Sequence, residues 1–303
     1  MGCFSYLLAL SFRIIVTSRV ASSQKILLTN DDGWAVAQIR AEYTALTAAG
    51  FDVILSAPAE NESGTGSSTS TPTTLKSACE FNTCAAGSPA EGANSTDSRI
   101  NYVNGFPVDS VRYGIQTLAP KFFGSKPDLV VSGSNIGNNL GSTVLISGTV
   151  GAASEAALEG IPSIAFSGSS GSQVSYTTLS QTTSSSTKAA NIYTTLVVKF
   201  TQTLLANPTP LLPSGISLNV NFASISNCAS VSDFKFVLTR INADKSATDV
   251  TTCGTNHLTA ESTAITKGCI ATVSVFDAST KGDVDAATQG AMLRKLTPIL
   301  TCL

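Results

Sequence analysis

Residues 26–33 read ILLTNDDG, an apolar run that stops on two adjacent carboxylates, Asp31 and Asp32, where a helical pattern begins. An apolar run of this length reads as a buried parallel strand, and in open parallel sheets ligands sit beyond the carboxyl ends of the strands. Asp31 and Asp32 therefore face a crevice. Neighbouring carboxylates repel each other and are expensive to bury unpaired, so a nearby cation is the cheapest way to keep both ionised. Successive side chains of an extended strand point to opposite faces, so both reach one ion only if the backbone turns at Asp31, which Gly33 eases. The competing assignment is an Asp-Gly hairpin turn, but that needs a second strand where the sequence turns helical.

Working outward, Val36, Ile39, Tyr43 and Leu46 recur at helical spacing, Gly50 stops the helix, and residues 52–57 form a second apolar strand before Pro58. The short connections imply a parallel βαβ unit. Residues 60–101 are rich in Ser, Thr, Gly and Asn, with two Cys, and read as a long loop with room for one short strand. A short helix over 109–118 follows, then a strand over 128–132 opening into SGSNIGNNLGS, a small-residue helix over 149–159 closed by Gly160, and a strand over 161–166. The Ser/Thr/Gly tract 168–187 is a loop by composition, and Tyr193, Leu196, Val197, Phe200 and Leu204 line one face of a long helix ended by Asn207-Pro208. Beyond Pro213, strand-like runs over 216–222, 234–241 and 270–276 and a helix over about 285–296 predict an extension of hairpin-like strands. No internal repeat occurs, so solenoids and propellers are unsupported. The alternation is that of an α/β protein, with a core over about 25–212 and an extension over about 213–303 forming one domain.

The 303 residues suffice for a full hydrophobic core, and 13% charged residues with a net charge of −2 give no nucleic-acid footprint. Residues 1–22 carry an apolar stretch from Phe4 to Val16 broken by Arg13, then small residues, the pattern of a cleaved secretory signal rather than a membrane span. Its removal takes Arg13 and Arg19 and leaves the chain more acidic, with no membrane association expected. Of seven Cys, Cys3 leaves with the signal, and the remaining even number in an exported chain suggests disulfides. Cys79 and Cys84 can staple one loop; for Cys228, Cys253, Cys269 and Cys302 the connectivity stays open, and buried free thiols are the alternative. Two glycosylation sequons occur, at Asn61 and Asn94, of which Asn94 lies in a polar stretch suited to a glycan.

The chemistry is narrowed by subtraction. The chain has one His, His257, in a loop-like stretch, there is no GxSxG elbow, and HExxH is absent, so a Ser-His-Asp triad and classical zinc sites lose support. Oxygen donors stand at the ends of successive strands: Asp31 and Asp32 after the first, Ser63 beyond the second, Asn135 after the third. Such hard donors suit Mg²⁺, Mn²⁺ or Ca²⁺. Ser147-Gly148-Thr149 opens the small-residue helix, where backbone N–H groups bind phosphate well; plain N-capping is the compatible alternative. Asn135, Asn138 and Asn139 among Gly133, Gly137 and Gly141 are turn formers taken alone and gain meaning beside the Asp pair. A SxxK match at Ser185–Lys188 lies in a low-complexity tract and is set aside.

TNDDGW, APAENESG, VNGFPVDSV, VSGSNIGNNLG and ISGTVGAA, in that order over residues 26 to about 168, resemble the SurE (survival protein) family of phosphatases and nucleotidases, here a secreted, fungal-type member. The resemblance implies a Rossmann-like, three-layer, mostly parallel sheet, and a divalent metal on Asp31, Asp32, Ser63 and Asn135. It also implies phosphate contacts from Asn139, Ser147, Gly148 and Thr149, phosphomonoester substrates such as nucleoside monophosphates, and a homodimer or larger homo-oligomer. Trp34-Ala35-Val36-Ala37 stands where prokaryotic members usually carry His and Pro-Gly, a departure bearing on nucleotide preference rather than on the metal. The expected activity is acid phosphatase or nucleotidase hydrolysis, in which a water activated by the metal attacks phosphate and Asp31 or Asp32 takes its proton. The competing functions are a secreted, non-catalytic metal- or nucleotide-binding protein of the same fold and a serine esterase with an unorthodox site.

Overall fold

The structure, a computed structural model, describes Met1, Gly2 and residues 23–303; the signal expected over residues 1–22 falls on 3–22, outside the described residues. The first unit is the expected one: β1 Lys25–Thr29, α1 Ala37–Ala48 and β2 Asp52–Pro58, with Gly50 beyond the helix at φ 93°. Then come β3 Glu91–Ala93, β4 Ile100–Val103, α2 Pro107–Tyr113, α3 Ala119–Phe123, β5 Leu129–Ile136, α4 Gly148–Leu158, β6 Ser163–Gly168 and α5 Ser185–Leu205. The chain closes with β7 Ile216–Phe222, β8 Lys235–Thr239, α6 Glu261–Ala264, β9 Ile270–Asp277 and α7 Ala286–Leu296.

Among the described residues, all nine strands share one sheet in the order β3-β4-β2-β1-β5-β6-β7-β9-β8. The run β4-β2-β1-β5-β6-β7 is parallel throughout. Leaving aside β3, its order in the chain is 3-2-1-4-5-6, that of a dinucleotide-type doubly wound sheet. The order reverses at β1, which pairs with β2 on one side and β5 on the other, and this opens a crevice beyond Thr29. Alternation along β1 sends Ile26 and Leu28 into the core beneath α1 and α5, and Leu27 into the core beneath α2 and α4. The small residues of α4, GTVGAASEAAL, let that helix lie close on β5 and β6, with Ala152 and Ala156 fully buried.

Two expectations are corrected. The long loop holds β3 and runs into a second strand, β4, which pairs parallel to β2; INYV is short, and Asn101 breaks its apolar pattern. The C-terminal strands are not hairpin-like. β7 adds parallel to β6, β9 lies antiparallel to β7, and β8 sits outside, parallel to β9. Parallel neighbours need a crossover of a dozen or more residues, which the segment between Thr239 and Ile270 supplies. Stacked and edge-on aromatic pairs among Phe166, Tyr193, Phe200, Phe222, Phe234 and Phe236 join α5 to this part of the sheet.

Three disulfides resolve the open connectivity. Cys79–Cys84 staples the loop after β2, Cys228–Cys269 ties the β7–β8 connection to the start of β9, and Cys253–Cys302 anchors the C-terminus to the insert before β9. The last pair closes a separation of 49 residues. The double variant Cys253→Ser/Cys302→Ser is expected to lose about 2–4 kcal/mol of unfolding free energy. Urea unfolding measures it, and an unchanged midpoint would show that this bond constrains little.

Candidate functional site

β1 delivers the chain to Asn30, whose side chain closes a turn on itself: Nδ2 donates to the Gly33 carbonyl (2.9 Å) and the Gly33 N–H donates to Oδ1 (3.2 Å). Gly33 takes φ 113°, and a β-carbon there would overlap the Glu80 carboxylate. This is the backbone turn that the two carboxylates require. Asp31 is 2% exposed and Asp32 0%.

Asp31 faces the start of α4. The Thr149 hydroxyl donates to Oδ1 (2.6 Å), and the backbone N–H groups of Gly148 and Thr149 also donate to the carboxylate. The end of a helix with its free N–H groups favours negative charge. Ser147 caps the helix, its Oγ accepting from the Val150 N–H (3.1 Å). Gly148 is fixed by space: a β-carbon would lie 2.8 Å from the Asp31 Cβ and 3.0 Å from Pro107. Asp32 is held from two other segments, its Oδ2 by the Ile136 N–H (2.9 Å) and its Oδ1 by the Gln173 amide.

The other expected residues take distinct positions. Asn135 is buried beside Ile136, and its Nδ2 donates to the Gly137 carbonyl (2.6 Å), leaving the amide oxygen as the uncommitted end. Ser63 is exposed, and its Oγ donates to Asn61 Oδ1 (2.7 Å); the neighbouring Glu62 N–H donates to the Asp31 carbonyl (2.8 Å) and brings that loop to the pair. Asn139 is buried, with Nδ2 donating to Ser167 Oγ (2.9 Å) and its own N–H donating to Asn221 Oδ1 (2.8 Å), so all but one of its N–H donors are structural. His257 is an exposed loop residue whose Nδ1 donates to the Ala247 carbonyl (2.8 Å).

Two residues at the site escaped the sequence. Gln173 comes from the Ser/Thr/Gly tract, where composition signals only a loop. Glu80, between Cys79 and Cys84, accepts the Ala35 N–H (2.8 Å) and adds a third carboxylate beside the turn. The only signal for it was an acid inside a disulfide staple.

The electrostatics are one-sided. Neither Asp31 nor Asp32 has an ion-pair partner among the described residues. Burial raises the Asp31 pKa against the lowering effect of its hydrogen bonds. Burial, and then the charge on Asp31, push Asp32 well above the usual carboxylate range, with a further push from Glu80. No cluster of three or more His, Cys, Asp and Glu groups suited to a metal exists among the described residues, so a cation here would rest on two carboxylates and neutral oxygens. That donor set fits a hard divalent ion.

Burial also raises Glu42 and Glu80 to about 7 and Glu261 to about 8, from an ordinary 4.5. A carboxyl with a folded pKa above its unfolded value binds its proton more tightly in the folded chain. Its contribution therefore favours folding at low pH and is lost as pH rises from about 4.5 through about 7 to 8. Thermal midpoints of the metal-free protein are expected to fall between pH 5 and pH 8.5; a rise across that window would contradict the burial of these acids.

Residues 26–248 match the family model of the survival protein SurE. An acid phosphatase of Yarrowia lipolytica is 37% identical over 238 residues, covering 75% of this chain and 65% of its own length. A 5'-nucleotidase SurE of Lawsonia intracellularis is 35% identical over 201 residues, 66% of each chain. The chain thus spans about two thirds of the length of these curated relatives. A crystal structure of SurE from Aquifex aeolicus superposes with a TM-score of 0.58 at 24% identity, over 90% of this chain and 99% of that one, and shows the same fold.

Proposed function

The chain belongs to the SurE family, and we propose on that premise that it is a divalent-cation-dependent phosphomonoester hydrolase of the acid phosphatase or nucleotidase type. One observation carries the proposal: two adjacent carboxylates are buried without a cationic partner among the described residues, and one of them, Asp31, faces the start of a helix. Asp31, Asp32, Ser63 and Asn135 would hold the cation, with Mg²⁺ or Mn²⁺ favoured over Ca²⁺. When bound, the ion supplies Lewis-acid polarisation of a phosphoryl oxygen and lowers the pKa of a water.

The protein's own groups supply the rest. The N-terminus of α4 offers partial positive charge and N–H donors where charge develops on phosphate. Ser147 uses its oxygen on Val150 and keeps its O–H to donate, and Asn139 keeps one amide N–H beyond the bond to Ser167. Gly148 leaves room for close approach. One of Asp31 and Asp32 would also accept the proton of the attacking water, since His257 sits in its exposed loop, bonded to Ala247.

The name acid phosphatase on the Yarrowia lipolytica relative and nucleotidase on the bacterial one support small phosphomonoesters, nucleoside monophosphates among them, as substrates. Three disulfides and the apolar character of residues 1–22 support export. A homodimer or larger homo-oligomer remains part of the proposal.

Phosphate release from nucleotides, polyphosphate and p-nitrophenyl phosphate, with and without Mg²⁺ or Mn²⁺, tests the activity. Release abolished by EDTA and restored by metal is expected; saturable metal binding with no release from any monoester would make the chain a binding protein. Asp31→Asn and Asp32→Asn are each expected to lower kcat about 10²- to 10⁴-fold, and wild-type turnover in both would end the mechanism. Because a glycan on Asn61, two residues before Ser63, would crowd the proposed site, its sequon is expected to be unused and Asn94 to carry the glycan. Peptide mass spectrometry showing full occupancy of Asn61 in active protein would count against Ser63 as a ligand.

A further inference from the structure

Behind the segment that delivers Asn135 lies a carboxyl group that no step above uses. Glu42, on α1, is fully buried, and its Oε1 accepts both donors of Ser134, the backbone N–H at 2.9 Å and the hydroxyl at 2.5 Å. Two donors from one residue on one oxygen fix that residue's backbone as well as its rotamer.

The place where this happens is the irregular stretch of β5. Its register against β6 shifts between Ser132 and Asn135, so the strand ladder does not hold the backbone there, and Ser134 spends its N–H on Glu42 instead. The next residue is Asn135, and the one after, Ile136, donates its N–H to Asp32. A displacement at Ser134 therefore moves the Asn135 amide and loosens Asp32 together. One turn earlier on α1, buried Gln38 stands against Gly171, where a β-carbon would lie 2.5 Å from its Nε2. Gln173, two residues on, donates to Asp32. The same face of α1 thus backs two of the segments that grip the carboxylate pair.

As packing, Glu42 is a poor choice. Burying a carboxyl is costly, Oε2 has no hydrogen-bond partner among the described residues, and an apolar side chain would fill the space more cheaply.

We infer that Glu42 is a positioning residue of the cation site, acting through Ser134 to aim Asn135 and to hold Asp32. This rests on the proposal that Asp31, Asp32 and Asn135 take a divalent ion. Residues that orient metal ligands from behind typically cost 10- to 100-fold in affinity when removed.

Calorimetric titration of the metal-free full chain with Mn²⁺, paired with thermal midpoints, tests the inference. Wild-type protein is measured first: no saturable binding overturns the metal site itself. Glu42→Leu keeps the volume but removes the acceptor, and is expected to weaken Mn²⁺ binding about 10- to 100-fold. Glu42→Gln keeps an oxygen that accepts both donors and is expected to stay within about threefold of wild type. Ser134→Ala, which loses the hydroxyl alone, is expected to fall between them. A Glu42→Leu variant with a lowered midpoint and unchanged affinity, or a Glu42→Gln variant as weak as Glu42→Leu, overturns the inference. If Glu42→Leu does not fold, Ser134→Ala decides, and unchanged affinity there overturns it equally.

Discussion

Two carboxylates side by side in the protein interior are the constraint on which the rest of this molecule turns. Asp31 and Asp32 are all but unexposed, each raises the cost of charging the other, and Glu80 adds to the same field. Water cannot compensate at that depth, so the protein must. It does so with donors from three segments: the first N–H groups of α4 and the Thr149 hydroxyl on Asp31, the Ile136 N–H and the Gln173 amide on Asp32. These bonds lower the cost without removing it, since burial still dominates both groups. On the proposed function, a divalent cation would complete the neutralisation.

The architecture serves that arrangement. The strand order reverses at β1, which leaves the carboxyl ends of β1 and β5 without a covering connection, and the donor segments converge there. The small residues of α4 let its N-terminus reach Asp31, and at Gly148 nothing larger than glycine fits. The C-terminal strands contribute from behind. Asn219 and Asn221 on β7 both donate to the Asn139 carbonyl, and Glu261 accepts from Gly141 and Asn219, so the loop after β5 is tied at Asn139 and at Gly141. What reads in sequence as an appended extension is a support for the site.

Legibility followed the range of the interactions. β1, α1, β2, β5, β6 and α5 were readable because each carries its own apolar period, and the Asp pair because it ends a strand. Asn135 could be brought near it by strand ends, and Ser147 and Thr149 opened a readable small-residue helix. Gln173 could not, because its role depends on a partner 141 positions away and its surroundings are compositionally featureless. Glu80 and Glu42 were hidden for a related reason: an acid in a loop and an acid on an amphipathic helix both read as solvated until the fold buries them. β8 and β9 were visible as strands, but their order was not, since pairing across long connections is set by the sheet edge that is free when they arrive.

The most direct measurement is calorimetric titration of the metal-free protein with Mg²⁺ or Mn²⁺ near pH 6, repeated in buffers of different ionisation enthalpy. Burial raises the proton affinity of this pair, so a cation that binds it competes with protons. The expected result is one site per chain with net proton release. Absence of saturable binding, or binding with no proton released, would contradict the account.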